Sequence, residues 1–199
     1  MSAAVSVAGR VDAIVIGASA GGVEALMALL PALSVAFRIP IVIVLHLPRD
    51  RPSLLAQIFV QKCALPVCEA ADKEPVRPGT VYFAPPDYHL LIDAGPCLAL
   101  SADELVNYSR PSIDVLFESA ADVYGARLLG IILTGANEDG AEGLAAIHAA
   151  GGVTIVQQPD SAQVKQMVAA ALNRNPASLV LDLQGISAVL RTLDEDVTV

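Results

Sequence analysis

Residues 12–30, DAIVIGASAGGVEALMALL, decide the fold. Residues 13–16 are a short apolar run of the kind buried on both faces of a parallel sheet. Gly17 to Gly22 supply a tight turn, and residues 23–30 repeat apolar side chains at helical spacing. Within the turn, Gly17-Ala18-Ser19-Ala20-Gly21 matches G-x-S-x-G, a pattern that exposes a serine hydroxyl on a sharp strand-to-helix turn. The small residues let the backbone bend, and the helix beyond points unpaired N–H groups at any negative charge that develops there. The same turn suits a plain small-residue loop, or a phosphate cradle. On this stretch alone the three readings stand side by side.

Outward from it, the chain keeps a strand-then-helix rhythm. Ile41–Leu45 is an unbroken aliphatic run that ends in His46-Leu47-Pro48. An amphipathic helix over 54–60 follows, opened by Arg51, Pro52 and Ser53, and residues 66–69 suit a short parallel strand. Pro75, Pro78, Pro85 and Pro86 frame a strand over 80–84. Residues 88–92 and 97–100, joined through Asp93-Ala94-Gly95-Pro96, read as a hairpin. This middle part is expected to be an antiparallel excursion. A helix over 112–123 and a central strand over 127–133 come next, then the loop Thr134-Gly135-Ala136-Asn137-Glu138-Asp139-Gly140. A helix over 141–149, strands over 153–156 and 179–181, and helices over 161–172 and 186–193 complete the pattern. It predicts an α/β fold: a three-layer αβα, doubly wound, mostly parallel sheet with an antiparallel hairpin excursion. Residues 11–195 are expected to form that single domain, behind a flexible tail of residues 1–10.

Composition narrows the function classes. At 199 residues, 54% of them hydrophobic, the chain can bury a substantial core. A net charge of -9, no Trp and 4% aromatics argue against a nucleic-acid partner. Cys63, Cys68 and Cys97 form no C-x-x-C pair and fit three buried thiols in a reducing compartment. No apolar run approaches the roughly 18 residues of a membrane span. Residues 1–9 lack the features of a signal peptide, so a cytoplasmic location without membrane insertion is expected. No metal-ligand spacing, Walker lysine or full G-x-G-x-x-G pattern is present, and no cofactor or metal is expected.

A serine nucleophile needs a base and an orienting acid. Of the 3 histidines, His46 follows a central strand as Ser19 does, at the sheet edge where ligand-binding loops converge. His148 lies inside a helix, and His89 could border the site. Asp139 reaches the same edge in the loop after the strand over 127–133, although an Asp just before a helix is also a common N-cap. Asp12 and Asp50 are less well placed, and Asp114 and Asp122 read as helix-surface residues. The order Ser19, His46, Asp139 is compatible with a triad, which geometry rather than order defines.

Several ordered segments resemble the catalytic domain of the chemotaxis protein-glutamate methylesterases, the CheB family. They are IGASAGGVEAL at 16–26, VLHLP at 44–48, PVRPGTVYFAPPDYHL at 75–90, SRPSIDVLFESAA at 109–121 and ILTGANEDGAEGL at 132–144. The resemblance covers nearly all of residues 11–193. It implies that Ser19, His46 and Asp139 are the triad and that the substrates are γ-glutamyl methyl esters on the cytoplasmic helices of methylated chemoreceptors. The chain departs from the family pattern where Ala136-Asn137-Glu138 replace the usual Met-Gly-Asn/Arg, and Met167-Val168 lacks a common Met-Pro. Only a short tail precedes Val11, so control by a receiver domain is expected from a separate response-regulator protein.

The expected chemistry is acyl transfer to water. His46 Nε2 is expected to face Ser19 Oγ, with Asp139 on Nδ1. The Ala20 N–H, with a second from the Ala136 loop, is expected to hold the oxyanion. Arg110, in Ser109-Arg110-Pro111-Ser112, suits a guide for acidic groups beside the ester, and equally a loop anchor. The Ser19 strand is expected between the His46 and Asp139 strands. Two readings of other classes remain: a nucleotide-binding domain, and a non-catalytic interaction module derived from an esterase.

Overall fold

The computed structural model describes residues 11–47 and 53–195. The 1–10 tail and the Arg51-Pro52 start of the second helix lie outside the described residues. In chain order the elements are β1 Ala13–Ala18, α1 Gly22–Leu29, β2 Ile41–Leu45, α2 Leu55–Val60, β3 Val67–Glu69 and β4 Val81–Phe83. Then come β5 His89–Asp93, β6 Cys97–Ser101, α3 Ile113–Tyr124, β7 Leu128–Ile132 and α4 Ala141–Ala149. The chain continues with β8 Val153–Gln157, α5 Gln166–Arg174, β9 Leu179–Leu181 and α6 Leu183–Glu195.

Strand residues alternate between two cores. Ile14, Ile16, Ile41 and Ile43 pack on one face with Leu26 and Leu29 of α1, Phe59 of α2 and Leu190 of α6. Val15, Val42 and Val44 pack on the other with Leu116 and Phe117 of α3, Leu144 of α4 and Val168 of α5. Because both faces are covered, β1, β2 and β7 are buried at every position. That accounts for their unbroken apolar sequence. The seven strands pair in the order β3-β4-β2-β1-β7-β8-β9, and every pairing is parallel.

The hairpin of β5 and β6 is a separate antiparallel pair, whose Leu90, Ile92 and Leu98 join the second core. The excursion is smaller than the sequence suggests. Residues 81–83, set among prolines, are not part of it: β4 inserts between β3 and β2 in the main sheet. Its three side chains are buried, and burial on both faces outweighs the flanking prolines. Helix α5 starts at Gln166 rather than near Ser161, because Pro159–Ser161 form a separate 3-10 turn. The three cysteines are free and half-buried rather than fully buried.

Register brings the carboxyl ends of β2, β1 and β7 level, with Ala18 opposite Leu45 and Gly17 opposite Ile132. The loops beyond are stitched across the same edge. His46 N–H donates to Ala18 O at 3.0 Å, and Ser19 N–H donates to Thr134 O at 3.0 Å. Gly17 permits the close approach of α3, since a methyl group there would run into the Ile113 and Ile132 side chains. Gly21, at φ 79°, makes the left-handed turn that opens α1. Chain order therefore reverses beside β1, the kind of crevice where doubly wound sheets hold ligands.

Candidate active site

Ser19 lies in the turn between β1 and α1, half-buried, with the exposed Ala20 after it. Its own N–H and that of Gly22 are spent on Thr134 O and Ser19 O. The Ala20 and Ala136 N–H groups make no hydrogen bond among the described residues, and both residues are exposed. Thr134 Oγ1 donates to Ala20 O at 2.9 Å and accepts from Val164 N–H at 2.9 Å, which fixes the two loops to each other.

His46 and Asp139 meet. His46 Nε2 lies 2.8 Å from Asp139 Oδ2, with the His side chain 13% exposed and the Asp side chain fully buried. Asp139 does not cap its own helix, where Gly140 is the cap residue and no side chain makes a capping bond. It stands at the N-terminus of α3, where Oδ2 accepts from Ile113 N–H at 2.6 Å. Its Oδ1 accepts from Ser112 Oγ at 2.7 Å, Asn107 Nδ2 at 3.0 Å and Asp114 N–H at 3.3 Å. Burial by itself pushes the carboxyl up. The hydrogen bonds from His46, Asn107, Ile113 N–H and Ser112 outweigh it and hold the group below the usual range. An ionised carboxylate facing Nε2 requires a proton on that nitrogen. Nδ1 of the neutral ring is then the free lone pair.

This reverses the nitrogen assignment expected from the sequence. Asp139 takes Nε2, and no hydrogen bond joins Ser19 to His46 among the described residues. The reason is local: Asp139 is drawn toward the start of α3 by Ile113 N–H and Ser112, and the distal nitrogen is the one that meets it there. Nδ1 instead faces Asn137 Nδ2 at 3.4 Å, which also lies 3.4 Å from Ser109 Oγ. Asn137 Oδ1 is buried and has no hydrogen-bond partner among the described residues. The Asn at this altered loop position therefore touches the base directly.

Arg110 is committed within the chain. Its Nε and Nη2 donate to Asp87 Oδ1 at 3.2 and 2.8 Å, and Nη1 donates to Ala102 O and Asp103 O at 2.9 and 2.8 Å. It thus ties the segment at Asp87 to the one at 102–103. With His46, Leu47, Tyr108, Ser109 and Pro111 it lines a narrow cleft of about 80 Å³. A larger open hollow of about 720 Å³ is lined by Asn107, Asp114 and Glu142 among others, and neither Ser19 nor His46 lines it.

The polar shell behind Asp139 is what the sequence reading missed. Asn107 bridges Asp139 and Asp114, donating to Asp114 Oδ2 at 2.7 Å. Asp114 is not a helix-surface residue: it is buried and accepts from Gly143 N–H at 2.7 Å. His89 does not reach the cleft. It supports the shell, accepting from Ser112 N–H on Nδ1 at 3.1 Å and donating from Nε2 to Glu104 O at 2.8 Å. The signal for this shell was the polar run Asn107-Tyr108-Ser109-Arg110 ahead of an apolar helix. His148 is exposed near the end of α4.

Residues 14–190 match the CheB methylesterase family. The chain belongs to that family. A Leptospira interrogans protein, provisionally named a protein-glutamate methylesterase/protein-glutamine glutaminase, is 45% identical over 93% of this chain and 96% of its own length. A Caulobacter vibrioides protein-glutamate methylesterase/protein-glutamine glutaminase is 39% identical over 90% of this chain, which spans 53% of that relative. The Thermotoga maritima CheB methylesterase catalytic domain superposes with a TM-score of 0.85 at 32% identity, covering 95% of this chain and all of that one. Fold and family therefore agree with the CheB resemblance read from the five segments. Among the described residues no helix is long and apolar enough to cross a membrane, and no cluster of His, Cys, Asp or Glu could hold a metal.

Proposed function

We propose that this CheB-family chain hydrolyses γ-methyl esters of glutamyl side chains on chemoreceptor helices, with Ser19 as nucleophile, His46 as base and Asp139 as orienting acid. The observation that carries the reading is the 2.8 Å contact of His46 Nε2 with the buried Asp139 carboxylate, one strand away from Ser19. With Nε2–H held by Asp139, Nδ1 takes the Ser19 proton as Oγ attacks the ester carbonyl. The oxyanion is received by the Ala20 N–H ahead of α1 and by the Ala136 N–H, two donors that make no hydrogen bond among the described residues. Methanol leaves with the proton from Nδ1. A water that gives a proton back to Nδ1 then cleaves the acyl-serine to the free glutamate and Ser19. Arg110 contributes a cation to the cleft wall that steers acidic groups flanking the ester, with Asp87 as its resting counter-ion.

The same acyl-serine forms from a glutamine carboxamide with ammonia as leaving group, the second activity in the relatives' names. The test is methanol release from a methylated receptor fragment. Ser19→Ala is expected to abolish it, with the circular dichroism spectrum unchanged. Normal turnover by that variant would remove Ser19 as nucleophile.

A further inference from the structure

Tyr108 is 96% exposed, although it is a large aromatic residue beside the base. A side chain so open to solvent buries almost no surface and adds little to folding. Its backbone is unusual as well. Asn107 and Tyr108 have φ of 49° and 60°, two consecutive left-handed residues between Val106 and Ser109. Those flanking residues exchange N–H to O bonds of 3.2 and 2.8 Å across the turn. Asn tolerates that conformation, whereas it is uncommon for a bulky residue such as Tyr. The turn is over-determined by the site: Asn107 Nδ2 is bonded to both Asp139 and Asp114. Tyr108 is thereby held in an unfavourable conformation with its ring in water, at the rim of the cleft that contains His46. Neighbouring loops also leave large apolar residues partly open to solvent. Leu105 is 41% and Tyr88 45% exposed, and Arg110 ties together the segments that carry them.

We propose that Tyr108 is a specificity-determining residue that docks the polypeptide around the reacting side chain. The proposal rests on the esterase reading above. Tyr108 forms part of the wall of that cleft of about 80 Å³, and with 96% of the residue exposed most of its ring is left open to solvent. What meets the ring is therefore the surface of the protein substrate, with Leu105 and Tyr88 extending the apolar contact and Arg110 offering a cation beside it. A small ester that fills only the cleft meets the base of this wall and gains far less from the ring than a protein substrate does. Strain kept without a folding benefit is the pattern of a site residue.

The experiment compares wild type, Tyr108→Asn and Tyr108→Phe on a methylated receptor fragment and on p-nitrophenyl acetate. Asn suits the left-handed backbone, so the melting temperature of Tyr108→Asn should equal or exceed that of wild type. Its KM for the fragment should rise roughly tenfold with kcat kept, as expected for loss of one aromatic anchor. Its kcat/KM on p-nitrophenyl acetate should fall by much less than that on the fragment, and Tyr108→Phe should behave as wild type on both substrates. If wild type turns over the fragment and Tyr108→Asn matches its KM, the proposal is wrong while the esterase reading stands. Equal losses on both esters would also overturn it, by placing Tyr108 in the chemistry or the fold. If wild type cleaves neither ester, the esterase reading fails and takes the docking role with it.

Discussion

Two carboxyl groups behind His46, both bonded by Asn107, are shifted in opposite directions. Asp114 is pushed up to about 6, first by burial; Gly143 N–H pulls it back, Asp139 pushes further, Asn107 lowers it and Glu118 raises it. Asp139 is held low despite its burial. The consequences for stability have opposite sign. A carboxyl whose folded pKa is raised stabilises fully below its ordinary value of 3.8, and that contribution is lost as pH rises through about 6. Asp139 contributes above 3.8 and loses its contribution as pH falls. Urea unfolding of wild type and Asp114→Asn at pH 4.5 and 7.5 isolates the first term. The advantage of wild type over the variant should be larger at pH 4.5, by about 2 kcal/mol. A difference that does not vary with pH would place the Asp114 carboxyl at an ordinary value.

The element that makes the site is the start of α3. Ser112 Oγ and the N–H groups of Ile113 and Asp114 all converge on Asp139, so the orienting acid sits at the positive end of a 12-residue helix. That helix can lie against the end of β1 because Gly17 has no side chain. Gly17→Ala should push Ile113 away from the sheet and move the Asp139 cradle relative to His46. Overpacking of this kind costs about 1–3 kcal/mol, and urea denaturation would measure it. kcat should fall at temperatures where the variant is fully folded. Retained kcat together with the stability loss would show that the cradle moves with the strand and tolerates the displacement.

Across the whole molecule, the sheet separates a core that builds the site from one that supports it from behind. Leu190 of α6 is fully buried in the core with α1 and α2, and Phe117 of α3 in the core under the site. Leu190→Ala should cost about 2–5 kcal/mol and Phe117→Ala about 3–5 kcal/mol. Assayed where both variants are folded, Leu190→Ala should keep kcat and Phe117→Ala should lower it. Equal effects on kcat would mean that the two faces are mechanically coupled through the sheet. The same division marks what could be read from the sequence. Strand-then-helix alternation and short apolar runs are local signals, so the doubly wound sheet and the arrival of the Ser19, His46 and Asp139 loops at one edge were legible from spacing and strand ends. The place of β4 was not, because neighbouring prolines speak of local rigidity while burial on both faces depends on distant elements. Nor could spacing tell which imidazole nitrogen meets Asp139, since that follows from partners 93 residues apart and from the pull of α3 on the carboxylate. Asp114 read as a helix-surface residue for the same reason, and Asn107 and Ser112 gave no sign of a role. Each is ordinary within its own segment, and only folding brings the segment carrying Asn107 and Ser112 to a carboxylate 32 and 27 residues away.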